Sequence, residues 1–131
     1  MNGAGIVALG EGLRYVEERG IDSIRAHELS LIRRLAGGLQ SIPKVRLYGP
    51  KATEPRASVL TLNVDGHQPD EVAGILDASF GIAVRAGLQC APGAHREIGT
   101  FPAGAVRVSP GPFSTADEID QLVAAMGKIA G

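Results

Sequence analysis

Residues 58–85 read SVLTLNVDGHQPDEVAGILDASFGIAVR. The opening residues alternate, with Ser58, Leu60, Leu62 and Val64 on one face and Val59, Thr61 and Asn63 on the other. That is the period of a half-buried strand. Pro69 then stands where a first helical residue needs no N–H, and Asp70 and Glu71 suit the positive end of a helix dipole. Val72, Ile75, Leu76 and Phe80 form the apolar stripe of that helix, and Gly81 stops it. Ile82 to Arg85 reads as a second short strand. A strand, a helix and a strand in succession define the middle of the fold.

Working outward, Ile6, Leu9, Leu13 and Val16 recur at helical spacing, with Gly20 as a stop. Asp22 or Ser23 can cap a second helix carrying Ile24, Leu31, Leu35 and Leu39, ended by Gly37-Gly38 and Pro43. Val45 to Tyr48 is a short strand closed by Gly49-Pro50, and Lys51 to Arg56 is a polar loop. On the other side, Ala91 to Gly104 is a loop rich in proline and glycine. Ala105 to Ser109 is a strand, with Val106 and Val108 on one face and Arg107 on the other. Thr115 and Glu118 form a capping box for a last helix with the stripe Ile119, Leu122, Val123, Met126 and Ile129. The expected order is α-α-β-β-α-β-β-α. It predicts an α+β domain, a small and mostly antiparallel sheet of about four strands with helices on one face.

Composition narrows the function classes. The chain has 131 residues, 44% hydrophobic and 21% charged, which suits one domain with a real core. Thirteen basic against 14 acidic residues give a net charge of -1, and aromatics make up 4%. Neither a basic patch nor a stacking platform for nucleic acid is visible. No apolar run approaches the ~20 residues that span a bilayer. A single cysteine forms no internal disulfide, which fits a reducing, cytoplasmic setting.

That cysteine is the sharpest chemical feature. Leu88-Gln89-Cys90-Ala91-Pro92-Gly93 places it in a loop after a strand rather than inside an element. Cationic neighbours such as Arg85 or His95 would favour the thiolate, the nucleophilic form. The competing reading is a small buried hydrophobe. Arg107, at mid-strand, is by default a solvated surface arginine, yet beside Ser109-Pro110-Gly111 it can fork onto a carboxylate through paired hydrogen bonds. Arg85 is open to three roles: a ligand arginine, an ion pair with Asp77 or Glu97, or a donor to loop carbonyls, of which the structural one is favoured. His27, His67 and His95 lack metal-ligand spacing with one another or with Cys90, and His95 reads as orienting the loop. Asp117, Glu118 and Asp120 read as a helix N-terminus. Gly10-Glu11-Gly12 lies in a helical pattern and hints at close packing.

Arg85-Ala86-Gly87-Leu88-Gln89-Cys90-Ala91-Pro92, then Val106-Arg107-Val108-Ser109, then Phe113-Ser114-Thr115-Ala116-Asp117-Glu118-Ile119-Asp120, resembles the C-terminal part of cysteine desulfurases, in the class V aminotransferase group of pyridoxal-phosphate enzymes. The stretch from Asn2 to Gly12, with Tyr15-Val16-Glu17-Glu18-Arg19-Gly20-Ile21, resembles the helical connector that follows the large domain there. The resemblance spans nearly the whole chain.

It implies that residues 1–131 form one C-terminal small domain of a fold-type I transferase, with 1–20 as the connector from a large cofactor-binding domain. Cys90 matches the cysteine that takes sulfur from a substrate cysteine and becomes a persulfide, releasing alanine. Arg107 matches the arginine that clamps the substrate carboxylate. Arg85 matches the arginine that precedes and supports the cysteine loop. Gln89 departs from the pattern, since many members carry histidine there. The parent would bind pyridoxal 5'-phosphate, act as a homodimer and pass sulfur to an acceptor protein. Lys44, Lys51 and Lys128 lack a cofactor motif, so this piece is expected to bind no cofactor and to be inactive alone. Two alternatives stay open: a class V aminotransferase or lyase without persulfide chemistry, and a non-catalytic α+β binding module.

Overall fold

The computed structural model describes residues 1–50, 54 and 56–131. The polar loop expected from Lys51 to Arg56 therefore falls largely outside the described residues. Helix α1 spans Gly3–Arg19, opened by Asn2, whose Oδ1 accepts from the Gly5 N–H at 2.9 Å. Helix α2 spans Ile21–Gln40. Asp22 and Ser23 lie within it and do not cap it. The reason is Gly20, whose φ of 78° breaks the first helix while its carbonyl accepts the first bond of the second, from Ile24 N–H at 3.1 Å. Gly37-Gly38 does not end α2 either. At Gly38 an added Cβ would lie 2.7 Å from a Val123 methyl, so the missing side chain lets the last helix approach closely.

Strand β1 is Val45–Tyr48, β2 is Leu60–Val64 and β3 is Val106–Val108, in the antiparallel order β1-β2-β3. Between β2 and β3 come α3, Pro69–Phe80, and α4, Pro92–Glu97; α5, Ala116–Ala130, follows β3. The short α4 falls within the stretch expected to be loop. Gly81, at φ 66°, caps α3 in the left-handed conformation, as its position at the end of the stripe implied. The Thr115–Glu118 capping box of α5 forms as expected.

The strand expected over Ile82 to Arg85 contributes only one bridge, Arg85 to Arg107. Two constraints shorten it. Ile82 N–H is tied back to Leu76 O at 3.0 Å, and Gly87, at φ 85°, leaves the extended region.

Leu60, Leu62 and Val64 of β2 and Val106 and Val108 of β3 turn inward. They join Leu31, Ile32, Leu35 and Leu39 of α2, Val72 and Leu76 of α3, and Ile119, Leu122 and Met126 of α5 in one core. Helices and sheet thus form two layers. Arg34 of α2 clasps Asp120 of α5 through Nε to Oδ1 at 2.6 Å and Nη2 to Oδ2 at 2.5 Å. Asp120 is therefore a cross-helix partner rather than a dipole residue. The Arg34 hydrogen bond holds its carboxyl below the usual value.

Helix α1 departs from this order. It has no buried residue, and Ile6, Val7, Leu9 and Leu13 are each more than half exposed. Nothing lies near Gly10 or Gly12, so the close packing that Gly10-Glu11-Gly12 suggested is not there. A ring contact between Tyr15 and Phe113, centroids 5.0 Å apart, ties α1 to the segment before α5. No described helix is long and apolar enough to cross a membrane.

Candidate active site

The inward turn of Val106 and Val108 puts Arg107 on the outer face of the sheet. Register gives it neighbours. Thr61 stands directly opposite on β2, and Tyr48 opposite Thr61 on β1. On its other side Arg85 and Arg107 exchange both backbone bonds, at 3.2 and 2.7 Å. Directly opposed residues of an antiparallel pair project on the same side. Both guanidinium stems therefore leave one face, and no ion pair joins either to a described carboxylate. The ion pairs considered for Arg85 with Asp77 or Glu97 do not form. Arg85 is exposed, whereas Arg107 is half-buried and its Nε is buried with no partner among the described residues.

The pairing continues one step. Ala105 N–H donates to Gly87 O at 3.2 Å, and there the backbones touch: a Cβ on Gly104 would sit 2.2 Å from the Gly87 carbonyl carbon. Only glycine fits this approach, which seats the cysteine loop on the end of β3. Leu88 O then accepts from Ala91 N–H at 2.8 Å, closing a four-residue turn. Its central residues, Gln89 and Cys90, have φ of 52° and 60°. Positive φ at both is the signature of a type I′ turn, in which Asn and Gly are favoured. Cys90 therefore occupies a position that glycine would fill on conformational grounds, and it is exposed. The buried-hydrophobe reading of Cys90 does not hold.

The Gln89 side chain reaches back to the strand. Its Nε2 donates to Ala105 O at 3.0 Å and, at 3.5 Å, to Arg85 O. His95, on α4, is buried, with Nδ1 at 2.6 Å from the Thr100 hydroxyl. The His95 carbonyl accepts from the Thr100 and Phe101 N–H groups, at 2.8 and 3.0 Å, and Arg96 lies over the Phe101 ring. The loop between Cys90 and Arg107 is thus pinned internally. His27 lies elsewhere, its Nε2 at 2.9 Å from Ser114 O, and His67 pairs with Glu71 on α3.

Two groups escaped the sequence reading. Thr100 carries no signal of its own. Asn63 does: asparagine is disfavoured in strands, and one at mid-strand on the non-core face calls for a reason. Its Nδ2 donates to Gly104 O at 3.2 Å. A cavity of about 300 Å³ lies between residues 81–84 and α5, and includes neither Cys90 nor Arg107. The outer face is open to one side. It presents the Arg85 and Arg107 stems, and the turn that exposes Cys90 is seated beside it on the end of β3.

The arrangement matches known proteins over nearly all its length. The chain is 39% identical over 126 residues to a cysteine desulfurase of Dickeya dadantii, covering 96% of this chain and 29% of that protein. It is 44% identical over 129 residues to probable cysteine desulfurase 1 of Mycobacterium leprae, covering 98% of this chain and 20% of that one. Among solved structures, the apo cysteine desulfurase of Thermococcus onnurineus superposes with a TM-score of 0.84 at 33% identity, over 91% of this chain and 29% of its own. The S-sulfonic acid form of the cysteine desulfurase CsdA from Escherichia coli gives the same TM-score at 26% identity, over 98% of this chain and 30% of its own. The chain spans less than a third of the length of these relatives. The aminotransferase class-V family model matches residues 1–122. By that match, and by the sheet and loop just described, the chain belongs to the aminotransferase class-V family.

Proposed function

We propose that this chain is the C-terminal small domain of a pyridoxal-phosphate-dependent cysteine desulfurase, in which Cys90 accepts sulfur and Arg107 anchors the substrate carboxylate. The observation that carries the reading is the left-handed turn. It exposes Cys90 and is tied, through Gln89 and Gly87, to the strand that bears Arg107.

On this reading the Cys90 thiolate attacks the sulfur of a bound L-cysteine. A sulfur–sulfur bond forms as the carbon–sulfur bond breaks. The bonding pair stays with carbon, which takes a proton to give alanine. Arg107 holds the carboxylate by its terminal nitrogens. Arg85, Gln89 and His95 support the loop that carries the thiol. Sulfur then passes from Cys90 to an acceptor protein, and the parent enzyme is a cytoplasmic homodimer.

Pyridoxal phosphate supplies the electron sink for such a cleavage. The described residues do not make a site for it. Lys44 precedes β1, and Lys128 on α5 lies with its ammonium 5.5 Å from the Phe80 ring centroid. The outer-face strand positions, Arg46, Tyr48, Thr61, Asn63 and Arg107, include no lysine. The cofactor and the opposite wall of the site belong to a part of the parent outside this chain. The exposed stripe of α1 is the surface that packs there.

The test has two arms. This chain, mixed with pyridoxal phosphate and L-cysteine, should release no alanine; alanine formation that depends on Cys90 overturns the reading of an inactive domain. In the parent enzyme, Cys90→Ser should abolish sulfur transfer. Retained full activity would favour an aminotransferase or lyase without persulfide chemistry.

A further inference from the structure

Asn63 and Arg107 share the outer face of the β2–β3 pair. Thr61 is opposite Arg107 and Leu62 opposite Val106, so Asn63 is the diagonal neighbour of Arg107, within reach of a long side chain. Its amide orientation is settled by chemistry. A carbonyl only accepts, so the Asn63 group facing Gly104 O at 3.2 Å is the nitrogen, and Oδ1 points the other way. That oxygen is buried with no partner among the described residues, and so is Arg107 Nε. One is an acceptor and the other a donor. Buried polar atoms of this kind are normally satisfied, and a water molecule offers both complementary functions.

We infer that Asn63 is a positioning residue for Arg107: one bound water accepts from Arg107 Nε–H and donates to Asn63 Oδ1. The bridge fixes the guanidinium plane and leaves the two terminal nitrogens free to fork onto a carboxylate. This rests on the reading of Arg107 as a carboxylate anchor. Asn63 is itself held by Gly104, the residue whose backbone abuts the cysteine loop at Gly87. One peptide thus seats both the thiol-bearing turn and the residue that aims the arginine.

The experiment is nuclear magnetic resonance on this chain, with the Arg107 Nε–H signal assigned by its loss in Arg107→Lys. In the wild type that proton should exchange with solvent at least tenfold more slowly than the side-chain Nε–H of exposed Arg46 or Arg85, and it should show a cross-peak to a long-lived water. Asn63→Ala should raise the exchange rate at least tenfold while the β2–β3 backbone amides keep their protection. Asn63→Leu, of nearly the same shape but without the acceptor, should raise the exchange rate likewise. Fast exchange in the wild type, or slow exchange that persists in Asn63→Ala, overturns the inference. Should Asn63→Ala fail to fold, the wild-type water cross-peak and Asn63→Leu decide it. An acetate titration read at the same proton tests the anchor separately. The wild-type signal should shift, and Asn63→Ala should need at least threefold more acetate. A slowly exchanging but unshifted wild-type proton refutes the carboxylate-anchor role and leaves the water bridge standing.

Discussion

Replacing Cys90 by glycine should stabilise the protein. Cys90 has φ of 60°, where an L-residue with a Cβ is disfavoured by about 1–2 kcal/mol. Glycine removes that cost but adds unfolded-state freedom worth roughly 0.4–1 kcal/mol. The side chain is exposed, so its loss forfeits little burial. The net expectation is a gain of about 0.5–1 kcal/mol from Cys90→Gly. At roughly 2 cal/mol/K of unfolding entropy per residue, that raises the Tm by about 2–4 °C. Cys90→Ala keeps the Cβ and the strain and should stay within about 0.5 kcal/mol of wild type. Urea unfolding of the three proteins, with equal m values to show unchanged end states, measures the difference. If Cys90→Gly is no more stable than Cys90→Ala, the left-handed turn is not strained and the argument that function holds a poor residue there fails. Thiol reactivity disappears in both variants, so stability and chemistry are read independently.

Gly104→Ala should cost at least about 3 kcal/mol, because overpacking against backbone is compounded by a φ of 82°, whereas Gly37→Ala, with open space in mid-helix, should be neutral or stabilising by up to about 1 kcal/mol; thermal melts compare them. Asp120 has a folded pKa below its unfolded one, so its pair with Arg34 adds stability above the ordinary carboxylate range and loses it as pH falls through the lower, folded value. The Tm gap between wild type and Asp120→Asn should therefore be present at pH 7 and close on acidification; a gap that widens in acid contradicts the pairing. The uncovered stripe of α1 should drive concentration-dependent association, relieved by Leu9→Glu with Leu13→Glu, and light scattering that reports a strict monomer at all concentrations would dismiss it.

Much of the architecture was legible because the core obeys local rules. The alternation of Leu60, Leu62 and Val64, the start at Pro69, the stop at Gly81 and the Thr115–Glu118 box each have a short-range cause, and each is where the pattern put it. The misreadings came from residues whose role is set by a distant partner. Gly38 resembles a helix stop, yet it makes room for Val123, 85 positions away in a helix no local window includes. Asp120 resembles a dipole residue until Arg34 is brought to it. The segment from Ile82 to Arg85 has strand composition, but ties at both ends leave it a single bridge. For the site, residue types gave the thiol and the arginines. The direct pairing of Arg85 with Arg107 and the left-handed turn depend on register, which types alone do not disclose.

The rule-breaking positions also share a place. Cys90 and Gln89 sit where glycine and asparagine belong. Arg85 and Arg107 set like charges side by side across a strand pair, an arrangement that weakens a sheet. Asn63 occupies a strand position with its oxygen buried and without a protein partner among the described residues. All of them belong to the outer face of β2 and β3 or to the loop seated on its end, while the opposite face of the same strands is uniformly aliphatic. Packing demands cannot account for that asymmetry, since each departure lowers stability without filling core. Local conflict gathered on one surface is what a functional site looks like when the rest of the sequence agrees with its fold. Here the conflicting groups are an exposed thiol and two guanidinium groups, the set that the proposed sulfur-accepting, carboxylate-binding wall calls for.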